Sequence, residues 1–301
     1  DLVKLSRLDG ETISLRGRHE RITDRDQFLG RFDRALSPAA NPDNQQPLII
    51  WISMHGYADS DDSRAYLIPP RATLNDRATW IDVSELIDRL AAASPDRHVV
   101  LMLDCHRVAV DWNLGLIDNH FADRVTELYQ SSSLANVSII QSAGSGQASC
   151  VSGDLQGSAF GYFSQLALAG AADVDAKIGD KDGWVSLSEY HDYVTLHLRH
   201  WARGQRASDQ APRVLKPSGS PNIRLARALN DNSLGDVRSA AISIRRRDDS
   251  VAANELAPLW QSLDHYRTLR LYENEPIAFR DLEHHLLWLE QLSRSGEAYR
   301  E

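Results

Sequence analysis

Disulfides are the first thing this chain lacks the means to build. Two cysteines in 301 residues are too few for a stapled framework, and a reducing cytoplasm is the home such usage points to. Positive charge is scarce as well: 33 Lys and Arg stand against 42 Asp and Glu, a net charge of -9. Nucleic acids and anionic membranes both recruit clustered basic charge, so neither is expected as a partner. The densest basic spot, Arg245-Arg246-Arg247, is followed at once by acids and reads as a solvated helix face. No apolar run approaches the ~20 residues that span a bilayer. No secretory leader is legible, and a chain beginning at Asp1 reads as a fragment or a processed product.

What is present is ordinary globular composition, 42% hydrophobic and 25% charged, enough for one large domain or somewhat more. Over residues 1–217 strand-like and helix-like segments alternate. Residues 2–8 read as a short strand. Residues 22–36 read as a helix opened by Thr23 or Asp24, with Phe28, Phe32 and Leu36 on one face. Residues 48–54 form a continuous β-rich run, as a strand buried on both faces requires. A helix with Val83, Leu86, Ile87 and Leu90 inward is predicted over 82–93, and a second buried strand over 99–103. The same reading gives a helix over 118–129, a strand over 137–141 and a helix over 158–169 stopped by Gly170. After an acidic, turn-rich loop, residues 184–187 lead into a helix whose capping box is Ser186 with Glu189. The expectation is an α/β fold: a mostly parallel sheet flanked by helices.

Around residues 216–222 ("KPSGSPN") Pro, Gly and Ser cluster and mark a break. Residues 222–301 read as a C-terminal helical appendage, with Pro276 opening a helix that carries Phe279, Leu282, Leu286, Leu289 and Leu292. No catalytic group is expected there, though a regulatory partner could dock on these helices. No internal repeat is visible.

Two apolar runs end at reactive side chains: "LIIWISMHG" at His55 and "VVLMLDC" at Cys105. In open parallel sheets, ligands collect beyond the carboxyl ends of the strands. A thiol needs partial ionisation to attack a carbonyl, and a nearby imidazole can shuttle its proton. The pair therefore suits acyl transfer, with Cys105 as nucleophile and His55 as acid and base. The N–H groups of Gly56 and Cys105 are the candidate oxyanion donors. Taken singly, a cysteine or a histidine at a strand end is more often structural. Cys150 sits in a polar loop and receives no role.

The His-Gly and Cys elements, about 50 residues apart, bring in a resemblance. The chain resembles the caspase-like cysteine peptidases (clan CD), and among them the bacterial metacaspase-like members. "IIWISMHG" stands where that family has a strand ending in Ser-Gly-His-Gly, so Ser53 matches the substrate-pocket serine and Met54 replaces a glycine. "LMLDCHRV" stands at the nucleophile strand. "QSAGSGQASCVSGDLQGSAFGYFSQLALAGAAD", "DGWVSLSEYHDYV" and "QAPRV" resemble the distal half. The likeness covers roughly residues 1–217. It implies a caspase-like fold, endopeptidase activity on protein or peptide substrates through a Cys105 acyl-enzyme, and no cofactor. The alternative is a catalytically weak or inactive caspase-fold scaffold for protein interaction.

Departures from the family pattern bear on specificity. Leu103 stands two places before Cys105, where metacaspases carry the Asp that receives a basic P1 side chain. Asp104 is one place later, and neighbouring strand residues face opposite ways. Asp59 and Asp154 lie on loops expected to border the site. With Ser53, Leu103, Asp104, Asp59 and Asp154 as candidate substrate contacts, basic and uncharged P1 residues both remain open, and the three acids incline toward a basic one. No counterpart of the family's first strand and helix is read before Leu2; the expectation is that they stand on a segment preceding this sequence or are replaced. Only ~30 residues separate Cys105 from the next strand, which leaves no room for a long cleavable linker.

Setting Gly183 at the sixth place of an EF-hand loop puts Asp180, Asp182 and Glu189 at ligand places but Ile178 at the first. The loop is accordingly read as a polar turn feeding a capped helix, with no metal expected.

Overall fold

The computed structural model describes residues 24–37, 47–58, 63–73, 75–93, 97–105, 120–155 and 157–228, and beyond them 261–262, 265–266, 269–279, 281–282 and 285. The strand read over residues 2–8, Asp59, the Arg245-Arg246-Arg247 triplet and most of the helical tail lie outside the described residues.

Helix α1 (Arg25–Leu36) begins where the Asp24 side chain accepts the N–H of Gln27, and it turns Phe28, Leu29 and Phe32 inward. Strand β1 (Leu48–Ser53) follows, but it is not buried on both faces as its apolar run suggests: residues 48–51 are half-buried, Ile52 is buried and Ser53 is exposed. The chain then bends at Met54 and continues as β2 (His55–Tyr57), which pairs antiparallel with β3 (Tyr66–Ile68), itself paired with β4 (Ile81–Asp82). This small three-stranded sheet was not legible in the sequence, because its strands are two or three residues long and carry no period of their own. Helix α2 (Val83–Ala93) and strand β5 (Val99–Asp104) come next. They lead to α3 (Phe121–Ser131) and β6 (Val137–Gln141).

A short hairpin, β7 (Val151–Ser152) with β8 (Gly157–Ser158), feeds α4 (Ala159–Leu166), which Ser158 caps by accepting the N–H of Gly161. Gly170, the expected stop, sits at φ 117 in a wide turn after α4, a conformation that disfavours any residue with a Cβ. The chain goes on through α5 (Ala172–Val174), β9 (Trp184–Ser186), α6 (Leu187–Arg206), β10 (Arg213–Leu215) and β11 (Arg224–Arg227). Helix α7 (Leu271–Asn274) belongs to the distal part.

The central sheet has the order β1-β5-β6-β10, with the first three strands parallel and β10 antiparallel. Alternation along β5 sends Val99, Leu101 and Leu103 into one core with Phe28, Leu86 and Val125 from α1, α2 and α3. Val100 and Met102 enter the other core with Phe160 and Phe163 of α4 and Tyr190 and Tyr193 of α6. A strand buried on both faces has no solvent side to make polar, which is why its sequence is an unbroken apolar run.

Residues 224–227 lie within the stretch read as helical, yet they form β11 on the edge of β9. Leu225 and Ala226 are buried there between exposed Arg224 and Arg227. A strand this short is set by the edge it meets rather than by its own pattern. Farther on, Tyr272 and Phe279 join the core of α4 and α6. Tyr162 donates to the Tyr272 carbonyl at 2.8 Å, and Tyr193 donates to the Glu273 carboxylate. Arg270 pairs with Glu273 at 2.6 Å and with Asp175 at 3.6 Å. Among the described residues, no helix is long and apolar enough to cross a membrane.

Two measurements check this packing. Phe279→Ala removes a ring that is 4% exposed, and urea unfolding should report a loss of about 3–5 kcal/mol. A loss under about 0.5 kcal/mol would mean the segment does not dock as described. The second concerns His197 on α6, stacked against Phe163 and tilted against Tyr193. Burial foremost pulls its pKa from 6.5 to about 4. The unfolded chain therefore binds a proton that the folded one refuses between those values. Stability should fall by up to about 3 kcal/mol as pH drops through that window, and His197→Phe should flatten this part of the profile.

Candidate functional site

Register fixes the frame of the site. Ser53 pairs with Asp104 across β1 and β5, so both strands end side by side at the carboxyl edge of the sheet. Asp104 is only 1% exposed, and a carboxylate so placed needs donors. Three serine hydroxyls supply them: Ser158 at 2.5 Å, Ser149 at 2.8 Å and Ser53 at 3.4 Å. The network extends to Gln210, which donates to Ser149 Oγ at 3.3 Å and to the Ser142 carbonyl at 2.8 Å. Gln210 Oε1 in turn accepts the Cys150 N–H at 2.8 Å. Burial foremost, with the Asp104 charge adding, pushes the Tyr190 hydroxyl well above its ordinary pKa.

Leu103 and Cys105 point the other way. Leu103 is 1% exposed and Cys105 0%, both within the core under α1, α2 and α3. The Cys105 thiol donates to the Ile52 carbonyl at 3.5 Å. Its own carbonyl accepts the Gly56 N–H at 2.5 Å, so the residue after His55 lies directly against Cys105. A Cβ built on Gly56 would come within 2.8 Å of the Cys105 carbonyl and 2.9 Å of the Phe121 ring. Only glycine fits there without displacing backbone. His55 itself is exposed at the start of β2, opposite Ile68.

The sequence-derived set is thus divided by the sheet. Ser53 and Asp104 share one face, in contact. Leu103 and Cys105 share the other. His55 and Gly56 stand at the rim beside Cys105. Gly56, a candidate oxyanion donor, has its N–H on the Cys105 carbonyl in this state. Asp154 is exposed in the β7–β8 turn, where its carboxylate accepts from Ser152 at 3.5 Å. Ser149, Ser158 and Gln210 were not singled out in the sequence. They fall inside segments that carry the family resemblance, and only the chain's long-range folding shows that they meet at Asp104. A surface depression lined by Tyr129, Leu134, Val214 and Lys216 lies between the end of α3, the loop after it and the end of β10, away from this edge.

No family model and no curated protein matches the chain. Among solved structures it is similar to protein GSU0716 from Geobacter sulfurreducens, at 14% identity and a TM-score of 0.41. That match covers 69% of this chain and 80% of the other.

Asp104→Ala should leave three serine hydroxyls without their shared acceptor. At about 1.5–3 kcal/mol for a hydrogen bond to a charged group, the loss on urea unfolding should be roughly 3 kcal/mol or more. Asp104→Asn should recover part of it. Gly56→Ala should cost about 1–3 kcal/mol through crowding at the Cys105 carbonyl, and an unchanged unfolding midpoint would disprove the close approach.

Proposed function

We propose that this chain is a caspase-fold cysteine endopeptidase of metacaspase-like type, held here in a latent state. The observation that carries the reading is the 2.5 Å hydrogen bond from Gly56 to the Cys105 carbonyl, which joins the His55 turn to the nucleophile strand at the carboxyl edge. In the reaction, His55 takes the Cys105 thiol proton and the thiolate attacks the substrate carbonyl. His55 then returns the proton to the leaving amine, and a thioester forms. Water, deprotonated by His55, attacks the thioester to release the acid and restore the thiol. The oxyanion would rest on the N–H groups of Gly56 and Cys105. The Gly56 donor becomes free only when the Cys105 carbonyl swings off it. Thiol exposure and assembly of the oxyanion site are therefore one rearrangement of the Cys105 peptide.

The P1 side chain would meet Asp154 rather than Asp104, whose oxygens are taken by the three serines. A basic P1 follows from that exposed carboxylate. The substrate is a protein or peptide, the compartment a reducing cytoplasm, and the C-terminal segment packed on α4 and α6 is the surface through which a partner would regulate the domain.

A second reading, an inactive caspase-fold scaffold for protein interaction, is favoured by one specific observation: the Cys105 thiol is fully buried and faces away from Ser53 and Asp104. A peptide library and a set of peptidyl acylating probes separate the two. The peptidase reading expects cleavage after Arg or Lys and probe adducts on Cys105. It also expects a fall of about 10³-fold or more in rate for Cys105→Ser and His55→Ala, and loss of the basic preference in Asp154→Ala. No cleavage, with adducts on Cys150 alone, establishes the scaffold reading instead.

A further inference from the structure

The acidic loop between α5 and α6 holds a carboxylate that the capped-turn reading leaves unexplained. Asp173 is 3% exposed. Its Oδ1 is buried with no hydrogen-bond donor. One oxygen each from Asp173, Asp180 and Glu189 lie within 4.8 Å of one another. No described Lys or Arg neutralises any of the three. Arg224 is committed to Asp182 at 2.9 Å and Arg270 to Asp175 and Glu273. Burial foremost, then the charges of Glu189, Asp182 and Asp180, pushes the Asp173 carboxyl up against the pull of the Gly183 N–H.

The rest of the loop is built to hold this convergence. Asp175 Oδ1 accepts the N–H groups of Lys177 and Ile178. A Cβ on Gly179 would fall 1.8 Å from the Asp173 carbonyl, so that position admits glycine alone. The capping box expected at Ser186 and Glu189 is present. Glu189 Oε2 accepts the N–H and hydroxyl of Ser186, while Oε1 accepts the Asp180 N–H at 3.0 Å. Each carboxylate oxygen carries two lone pairs, so Glu189 keeps acceptor capacity facing Asp173.

We propose that Asp173, Asp180 and Glu189 bind a divalent cation, calcium in preference to magnesium, which ties the end of α5 to the first turn of α6. The donors are all hard oxygens, which suits calcium or magnesium over the softer transition metals. Calcium takes oxygens at ~2.3–2.6 Å, so two ligands on opposite sides of the ion stand roughly 5 Å apart. Magnesium at ~2.0–2.1 Å needs them within about 4 Å and in stricter octahedral order. Asp180 is exposed, which leaves an open side for coordinating water. The site also explains the faulty EF-hand spacing. Ile178 stands at the first ligand place and offers no side-chain oxygen, while Asp182, at another, is diverted to Arg224 and the Trp184 N–H. Asp173, upstream of the loop pattern, brings in the missing carboxylate through the fold. The inference stands on this loop and is independent of the chemistry at Cys105.

Calorimetric titration and thermal unfolding of the full chain, stripped of metal by a chelator, test it. One equivalent of calcium should bind, and calcium at ~100 times its Kd should raise Tm by several degrees, with magnesium weaker. Asp180→Asn, at an exposed position where folding is safe, should weaken calcium binding at least about ten-fold. Asp192→Asn, on α6 outside the cluster, should leave it unchanged. Asp173→Asn should abolish the calcium response while raising the Tm of the metal-free protein, since it removes a buried charge. No saturable heat and no Tm shift in the wild-type chain would overturn the proposal, as would undiminished binding in Asp180→Asn.

Discussion

A carboxylate buried at the end of a strand has to be solvated by the protein, and Asp104 is solvated by hydroxyls from three separate segments. Ser53 comes from β1, Ser149 from the loop after β6, and Ser158 from the cap of α4. Each therefore has to arrive in register for the others to be satisfied. A partly satisfied set would cost more than an apolar core of the same shape. Through Ser158 the carboxylate also sets where α4 begins, because the same hydroxyl accepts the Gly161 N–H at 2.9 Å. The start of α4, the hairpin before it and the loop carrying Cys150 are all held by this one charge.

The same strand explains why neighbouring residues have such different fates. Asp104 and Cys105 are adjacent, but the two-residue period of a strand sends one toward α4 and the other under α3. Polar chemistry gathers on the first side and apolar packing on the second. The turn at Met54 then lifts His55 out to the rim, and the Gly56 N–H bonds the Cys105 carbonyl. At this edge the imidazole of His55 is exposed and the thiol of Cys105 is buried.

Much of this frame is legible in the sequence, because long buried strands and amphipathic helices carry their own period. The runs ending at Ser53, Asp104 and Gln141 and the stripe of Val83, Leu86, Ile87 and Leu90 state their structure locally. The capping box at Ser186 does so too. What escapes is set by distant partners. His55 reads as the end of a strand, yet it begins another, because Ile68 and Tyr66 offer an edge that only tertiary folding brings near. Leu225 and Ala226 are a strand only because β9 is there. Ser149 and Ser158 are ordinary serines until Asp104 stands between them. Asp173 looks like one acid among several until the chain folds it toward Glu189.

The hydrogen bond from the Cys105 thiol to the Ile52 carbonyl has a consequence for how the protein ages. Peroxides must reach a sulfur to oxidise it, and Cys105 is 0% exposed with its S–H bonded to a carbonyl. Cys105 is shielded from that chemistry by both its bond and its burial. Cys150 has neither protection in full, being partly exposed, with its sulfur 3.7 Å from the Ser208 hydroxyl. Oxidative damage to this chain should begin at Cys150, which takes the first oxidising equivalents while the sulfur at the strand end stays reduced.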